Sequence, residues 1–182
     1  MIVEATPLID AYVLAPKVFE DQRGYFFESF NANKWKELGI ASYNWVQENE
    51  SKSSKGVLRG LHFQKGAAAQ AKLVRVIKGE VYDVAVDLRR ESESFGKWFG
   101  VVLSESNKKQ FLVPKGFAHG FLVTSDEAIF SYKCDNFYDP EMDSGVIYND
   151  PEIGVEWPYL GIELKISAKD QIQNSFKDSY KF

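Results

Sequence analysis

Residues 73–88 read LVRVIKGEVYDVAVDL, two runs rich in β-branched residues that are separated by Lys78-Gly79. Such runs favour β-strands, and a glycine between two of them is typical of a tight turn. The rhythm continues downstream in KWFGVVL (97–103), QFLV (110–113), FAHGFLV (117–123) and AIFSYKC (128–134). Short strands with turn signals at short intervals predict a mainly β protein, an antiparallel sandwich or barrel.

Helical signals occur in only two places. NANKWKELG (31–39) offers Asn31 or Asn33 as the N-terminal cap and Gly39 just beyond the end. The second segment, SAKDQIQNSFKDSY, starts at Ser167 near the C-terminus. No repeat, low-complexity tract or linker divides the chain, so we expect residues 1–182 to form a single domain.

The composition of the 182 residues narrows the function. The hydrophobic fraction is 45%, and no apolar stretch approaches the ~20 residues that span a bilayer, so no membrane association is expected. The formal net charge of -4 argues against a nucleic-acid partner. The N-terminus lacks a signal-peptide pattern and Cys134 is the single cysteine, which makes the cytoplasm the expected location.

Alternation along the predicted strands puts polar groups on core faces. His119 shares a face with Phe117 and Phe121, and Tyr132 shares one with Phe130. Taken singly, such a residue is more often a satisfied core polar group than a functional one. Several of them accumulate in one small sheet, which predicts a polar pocket inside a barrel; they are Asp83, His119, Tyr132, Arg59, His62 and Lys72.

The stretch GVLRGLHFQ (56–64) contains a cation and a histidine in a run suited to burial. Strict alternation would point Arg59 and His62 to opposite faces. Gly60 lies between them, and a glycine inside a strand is a common site for a bulge that redirects the side chains that follow. We therefore expect a bulge or bend at Gly60.

Several motifs in order resemble the nucleotide-sugar 3,5-epimerases of the cupin superfamily, and within them the dTDP-4-dehydrorhamnose 3,5-epimerase family. These motifs are GVLRGLHFQ, AQAKLVRVIKGEVYDVAVDLR, FGKW, VPKGFAHGF, the Tyr132-Lys133-Cys134 strand with Tyr138 and Pro140, and SAKD. The resemblance implies a cupin-type jelly-roll β-barrel and a homodimer that exchanges N-terminal strands. It also implies a dTDP-sugar substrate, with no metal and no cofactor.

The implied reaction inverts C3 and C5 of dTDP-4-dehydro-6-deoxy-glucose, both of which lie beside the C4 ketone. Each hydrogen is acidic because its carbanion delocalises as an enolate. The enzyme needs a base, a proton donor on the opposite face and positive charge at the C4 oxygen. A histidine with an ordinary pKa near ~6.5 can accept a proton at pH 7, which suits His62 as the base. The resemblance implies Tyr132 as the acid and Lys72 as the cation.

Asp170 has two interpretations. By resemblance it is the dyad partner of His62, which would hold the tautomer and stabilise the imidazolium. Ser167-Ala168-Lys169-Asp170 also has the spacing of a helix start with an acid at the third position. The residues alone leave the two interpretations open.

The resemblance also implies contacts with the rest of the substrate. Arg59 would bind diphosphate oxygens with its guanidinium fork. Arg23 and Lys169 would add diphosphate contacts, and His119 would contact the sugar near C4. Around the thymine the resemblance implies Phe19, Phe26, Glu28 and Tyr138, with Tyr138 stacking on the base. Gln47 and Asn49 would touch the nucleotide or the phosphates. We expect Asp83 to act as a supporting residue that orients Lys72 or His119.

Alternatives remain. A metal-dependent cupin fits Pro114, Gly116 and His119, but its first motif would need a second histidine where this chain has Gln64. A non-enzymatic sugar-nucleotide binding module would have no use for a His/Asp pair facing a tyrosine. An epimerase that inverts only one carbon, or acts on another 4-keto sugar nucleotide, stays open.

The chain departs from the family in KGAAA (65–69), which replaces a usual proline pair and predicts a looser loop before Lys72.

Overall fold

The computed structural model describes residues 1–40 and 43–182. Two β-sheets pack face to face, and a separate two-stranded hairpin stands apart from them. The larger sheet has the order β1 (Ile2–Ala5), β2 (Tyr12–Ala15), β10 (Gln110–Val113), β7 (Lys72–Lys78), β12 (Glu127–Cys134) and β5 (Gln47–Ser54).

The smaller sheet completes the sandwich. Its order is β13 (Asp143–Gly145), β6 (Val57–Gln64), β11 (Phe117–Val123), β8 (Glu80–Asp87) and β9 (Trp98–Ser104), with β14 (Lys165–Ile166) parallel to β6. The separate hairpin consists of β3 (Val18–Asp21) and β4 (Gly24–Phe27). All strand pairs except β14 with β6 are antiparallel, which confirms the mainly β class.

The predicted jelly-roll class is confirmed in its two-sheet form, in which the sheets face each other without being hydrogen-bonded into a closed cylinder. They are held together by side-chain packing, which explains why each inward face is apolar. Phe111, Phe121 and Phe130 are among the residues of this inner core. The predicted strands between residues 73 and 134 all form, and their inward faces are those that alternation predicted.

Outer layers cover the backs of both sheets. Leu61, Val84 and Phe176 belong to the cluster behind the smaller sheet, and Trp35, Leu73 and Leu112 belong to the cluster behind the larger one. Burial on both faces explains why every residue of β11 is buried. A strand covered on both sides can hold His119 only if its ring has a polar partner.

Strand β5, with the sequence QENESKSS, was not among the predicted strands. Its side chains are polar throughout, so no apolar alternation marks it. It forms because it pairs along its whole length with β12, from Ser54 opposite Glu127 to Gln47 opposite Cys134. The backbone hydrogen bonds of a sheet edge therefore override a weak local signal.

The first helix, α1 (Ala32–Glu37), agrees with its prediction. The side chain of Asn31 accepts hydrogen bonds from the backbone N–H groups of Asn33 and Lys34, and Gly39 beyond the end has a φ of +73°. Such a φ favours glycine, which has no Cβ to clash.

The second helix, α2 (Ala168–Gln171), has only four residues, so the longer helix expected from Ser167 is wrong. Asn174 instead pairs with Val146, and Phe176 is buried in the cluster behind the smaller sheet. These tertiary contacts outweigh the helical propensity of the segment. Within the described residues, neither helix has the length and apolarity needed to cross a membrane.

The bulge predicted at Gly60 is confirmed. His62 pairs with His119 and Arg59 pairs with Phe121, so three steps on β6 match two steps on β11. Gly60 has a φ of +125°, and a Cβ there would lie 2.6 Å from the Cα of Gly120. The extra residue turns Arg59 and His62 toward the same side, which alternation alone would forbid.

Candidate active site

A cavity of about 160 Å³ opens between the two sheets. Both sheets contribute polar side chains to an otherwise apolar interior, as in a small-molecule site. The cavity is lined by Glu50, Ser51, Arg59, His62, Lys72, His119, Gly120, Phe121, Phe130 and Tyr132. Five residues singled out from the sequence for the polar pocket, all except Asp83, thus line one cavity.

His62 forms a close pair with Asp170. Its Nε2 lies 2.6 Å from Asp170 Oδ1, and the imidazole side chain is 33% exposed. Because Nε2 faces the carboxylate, Nδ1 is the ring nitrogen left to exchange a proton with a substrate. The Gly60 N–H donates to Asp170 Oδ2 at 3.2 Å, so the bulge also supplies a hydrogen-bond donor to the carboxylate.

The environment of Asp170 keeps it ionised. Burial would raise the pKa of its carboxyl, but the hydrogen bond and charge of His62, together with bonds from Gly60 and Ser167, bring the pKa below its usual value. The Asp170 N–H donates to Ser167 Oγ, so Asp170 also occupies the helix-start position. The two interpretations of Asp170 are therefore compatible in one structure.

Lys72 and Tyr132 come from the larger sheet and face the smaller one, which carries His62. Among the described residues Lys72 Nζ has no hydrogen-bond or ion-pair partner, and it lies 5.9 Å from the centroid of the Tyr132 ring. Burial lowers the pKa of Lys72, while the nearby Cys134, Asp143 and Asp83 oppose this. Burial also raises the pKa of Tyr132, so the phenol keeps its proton at neutral pH.

The His119 side chain, which lines the cavity, pairs with the buried carboxylate of Asp83. Its Nε2 lies 2.9 Å and 3.1 Å from the two carboxylate oxygens, and its ring stacks near Phe130. Burial raises the pKa of Asp83, against the lowering effect of His119 and Lys72. Of the two partners considered for Asp83, the structure shows contact with His119.

Arg59 reaches the cavity with its guanidinium held from behind. Its Nε and Nη2 both donate to Ser53 Oγ at 3.2 Å, and Ser53 is buried. No carboxylate of the described residues pairs with this guanidinium, so its charge is available to an anion in the cavity.

The segment after β12 carries Tyr138 and leads from the larger sheet to the smaller one. Tyr138 is half exposed there, and its N–H donates to Gln47 Oε1 at 3.0 Å. Gln47 Nε2 in turn donates to Asn49 Oδ1, and Asn49 lies opposite Tyr132 in the sheet. Lys169 forms an ion pair with Asp143, which raises the pKa of Lys169.

Four residues expected around the nucleotide lie on or beside the β3–β4 hairpin, and none of them lines the cavity. Arg23 pairs with Asp21 through its guanidinium. Glu28 binds Lys34. Phe19 and Phe26 point into solvent, with Phe26 70% exposed. A single chain therefore does not bring these residues to the His62 site.

The loop KGAAA is held in place by hydrogen bonds. Residues Gly66–Ala68 form a 3₁₀ turn, and the Asn136 side chain donates to Ala67 O at 2.9 Å. Gln70 Nε2 donates back to Asn136 O at 2.8 Å. These bonds supply a restraint that the sequence did not indicate, since Asn136 is distant along the chain.

Three side chains at the site escaped the sequence reasoning. Ser53 supports Arg59, Asp143 pairs with Lys169, and Gln64 contacts the Tyr138 segment. The position of Gln64 two residues after His62 was noticeable, but the partners of all three are distant along the chain. Across residues 1–40 and 43–182, no group of three or more His, Cys, Asp or Glu side chains is arranged to hold a metal ion.

Comparison with known proteins gives a consistent result. The sequence profile of the family described as dTDP-4-dehydrorhamnose 3,5-epimerase matches residues 5–178. The chain is 53% identical over 171 residues to the Escherichia coli K12 protein of that name, covering 94% of this chain and 92% of the relative.

Solved structures agree. The dTDP-4-dehydrorhamnose 3,5-epimerase of Elizabethkingia anophelis is similar with a TM-score of 0.94 at 53% identity, covering 99% of both chains. The dTDP-6-deoxy-D-glucose-3,5-epimerase of Legionella pneumophila, in complex with dTDP-4-keto-L-rhamnose, is similar with a TM-score of 0.93 at 46% identity. That match covers 97% of this chain and 93% of the other.

Proposed function

Because the chain belongs to the dTDP-4-dehydrorhamnose 3,5-epimerase family, we propose that its reaction takes place in the cavity between the two sheets, with His62, Tyr132, Lys72 and Asp170 as the catalytic groups. The chain is an isomerase. It epimerises dTDP-4-dehydro-6-deoxy-glucose at C3 and C5 to give dTDP-4-dehydro-L-rhamnose.

One observation carries the assignment of roles: the base and the acid belong to different sheets and face one cavity. His62 is on β6 of the smaller sheet, and Tyr132 is on β12 of the larger sheet. A sugar ring between them presents one face to each group. Inversion requires this geometry, since the proton must leave from one face and return to the other.

The chemistry follows from this placement. Nδ1 of His62 accepts the proton from C3 or C5, and Asp170 stabilises the imidazolium that results. The electron pair moves onto the C4 oxygen as an enolate, where the Lys72 ammonium stabilises the negative charge. The Tyr132 hydroxyl then gives its proton to the carbon from the opposite face, and exchange with water restores both groups. His119, held by Asp83, contacts the sugar near C4.

Arg59 and Lys169 bind the diphosphate in this proposal, and Tyr138 stacks on the thymine. Gln47 and Asn49 line the approach to the nucleotide. Ser53 supports the Arg59 guanidinium, which increases the fraction of time that it faces the diphosphate. A lysine cation and two histidines that are each paired with a carboxylate suit anion binding better than coordination of a divalent metal, so no metal or cofactor is required.

The functional unit is a homodimer in which N-terminal strands are exchanged. In support, Arg23, Phe19 and Phe26 lie on a hairpin with exposed apolar side chains that has no role in its own cavity. A partner's hairpin would complete the nucleotide site of each protomer, together with Glu28. We place this one-domain enzyme in the cytoplasm, in keeping with its single cysteine.

The direct test is incubation with dTDP-4-dehydro-6-deoxy-glucose in deuterated water, followed by NMR of the product. We expect dTDP-4-dehydro-L-rhamnose with deuterium at both C3 and C5. Inversion and labelling at one carbon alone would show a monoepimerase instead. Absence of both with a folded, dTDP-binding protein would contradict the proposed function.

A further inference from the structure

Gln47 is the first residue of β5, and Gln64 is the last residue of β6, the next strand along the chain. Strands β5 and β6 each have eight residues, and the chain reverses between them at Lys55-Gly56 as it passes from the larger to the smaller sheet. Gln47 begins β5 and Gln64 ends β6, so equal strand lengths bring both amides to the same end of the sandwich. At this end the segment that carries Tyr138 crosses from the larger sheet to the smaller one.

The two amides bind successive backbone groups of one segment. Gln47 Oε1 accepts from the Tyr138 N–H at 3.0 Å, and Gln64 Oε1 accepts from the Asp139 N–H at 2.8 Å. Tyr138 itself has an exposed ring, so its position depends on how its backbone is held. The segment crosses between the sheets at this point, where no strand pairing fixes it.

Gln64 makes a second contact with its other atom. Its Nε2 donates to Asp143 Oδ1 at 3.4 Å, and the Asp143 carboxylate forms the ion pair with Lys169. The side chain of Gln64 is 3% exposed, so both halves of its amide are satisfied inside the protein. One buried amide thus touches the segment that holds Tyr138 and the carboxylate that holds Lys169.

We propose that Gln64 is a positioning residue for nucleotide binding, which holds the Tyr138 ring and the Asp143–Lys169 pair in a fixed relation. This inference rests on the proposed function, in which Tyr138 stacks on thymine and Lys169 contacts diphosphate. A glutamine suits the position because it offers an acceptor to an N–H and a donor to a carboxylate on one side chain. Neither a carboxylate nor an apolar residue of similar size provides both.

The first test is the affinity for dTDP of Gln64→Met, which keeps the length of the side chain and removes both hydrogen bonds. We expect the dissociation constant measured by calorimetry to rise about tenfold. A net hydrogen bond is worth roughly a factor of five, so two lost bonds set an upper bound of about 25-fold, and part of that loss falls on stability because both bonds lie within the protein. The KM for the sugar nucleotide should rise to a similar extent while kcat stays near the wild-type value. A purely structural glutamine would lower the melting temperature without this split.

The matched control is Asn107→Ala. Asn107 is another amide whose side chain binds backbone groups, at Ser104, Lys109 and Val102, but it lies in the β9–β10 turn and does not line the cavity. We expect its dTDP affinity to equal that of the wild type. If Gln64→Met does not fold, Gln64→Asn replaces it, because the shorter side chain withdraws the amide from both partners.

A double-mutant cycle with Tyr138→Ala tests the route of the effect. If Gln64 acts by placing the Tyr138 ring, Gln64→Met should change dTDP affinity by less than about threefold in a chain that already lacks the ring. A full tenfold effect in that background, or unchanged affinity in the single variant, overturns the inference. Either result leaves the proposed function intact when the wild-type enzyme inverts both carbons in deuterated water, whereas an inactive wild type contradicts the function itself.

Discussion

Two histidine–aspartate pairs serve the same cavity, and their carboxylates have different surroundings. Asp170 accepts from His62 and from the Gly60 N–H, and its pKa is lowered. Asp83 is fully buried, and among the described residues His119 is the hydrogen-bond partner of both its oxygens; its pKa is raised because burial dominates. The two imidazoles differ as well, since His62 is 33% exposed and His119 is 8% exposed.

The different surroundings of the two carboxylates suit the two histidine–aspartate pairs to different tasks. A carboxylate kept ionised by additional donors can stabilise an imidazolium that forms and disappears during turnover. A carboxylate with a raised pKa stabilises such a charge less well, but it holds the ring of its histidine in one orientation. We therefore expect proton transfer at His62 and fixed positioning at His119.

Of the variants that test the different roles of His62 and His119, we expect His62→Ala to have the largest effect. It should abolish both epimerisation and the exchange of the C3 and C5 hydrogens with deuterated water, with losses of up to ~10⁴-fold, because the base is absent. NMR of the recovered sugar nucleotide measures both. The matched variant His119→Gln should lose no more than ~10²-fold and should keep exchange. Rapid exchange in His62→Ala would remove His62 from the mechanism.

Tyr132→Phe tests proton delivery from the larger sheet, opposite the sheet that carries His62. It keeps His62 and Lys72, so hydrogens can still leave and return on the original face, whereas delivery from the opposite face loses its donor. We expect inversion to fall ~10²- to 10³-fold while deuterium still enters C3 and C5. Wild-type inversion in a folded Tyr132→Phe enzyme would contradict the role of Tyr132.

The sequence was sufficient for much of the fold because its signals are local. Apolar alternation predicted the strands from Lys72 to Cys134, and Gly60 marked the bulge that joins Arg59 and His62 in one cavity. Strand β5 could not be predicted in this way, since its formation depends on pairing with β12. The length of α2 was also missed, because contacts of Asn174 and Phe176 decide it.

The site divides along the same line. Residue types and motifs predicted that His62, Lys72, His119 and Tyr132 share one pocket, and all four line the cavity. The resemblance implied Asp170 as the partner of His62, but the residues alone could not pair either histidine with its carboxylate, because 108 residues separate His62 from Asp170 and 36 separate Asp83 from His119. Nor could they tell that one carboxyl has a lowered and the other a raised pKa, which depends on burial and on the Gly60 N–H.

Asp170→Asn compared with Asp83→Asn is the next test of the comparison. In Asp170→Asn the amide must offer its oxygen to the Gly60 N–H, so its NH₂ faces His62 Nε2 and the proton of the ring moves to Nδ1. That tautomer cannot accept a proton from the substrate at Nδ1, and we expect kcat to fall ~10²-fold. In Asp83→Asn the oxygen can still accept from His119, so the loss should stay within about tenfold. Equal losses would mean that the two pairs have equivalent roles.

The smallest expected effect is on stability against pH, and it tests the two carboxylates without any substrate. The folded pKa of Asp170 is below the usual 3.8, so its contribution to the free energy of unfolding is present above that pH and is lost as pH falls through the folded pKa. The folded pKa of Asp83 is above 3.8, so the folded state binds its proton more tightly, and stability falls as pH rises from 3.8 through the folded pKa. Urea unfolding from pH 3 to 7 at one fixed protein concentration measures these differences, since a dimer would make the midpoint depend on concentration. The stability of the wild type relative to Asp170→Asn should increase with pH, and its stability relative to Asp83→Asn should decrease. Two slopes of the same sign would show that the carboxylates titrate alike, and the division of tasks between the two pairs would lose its electrostatic basis.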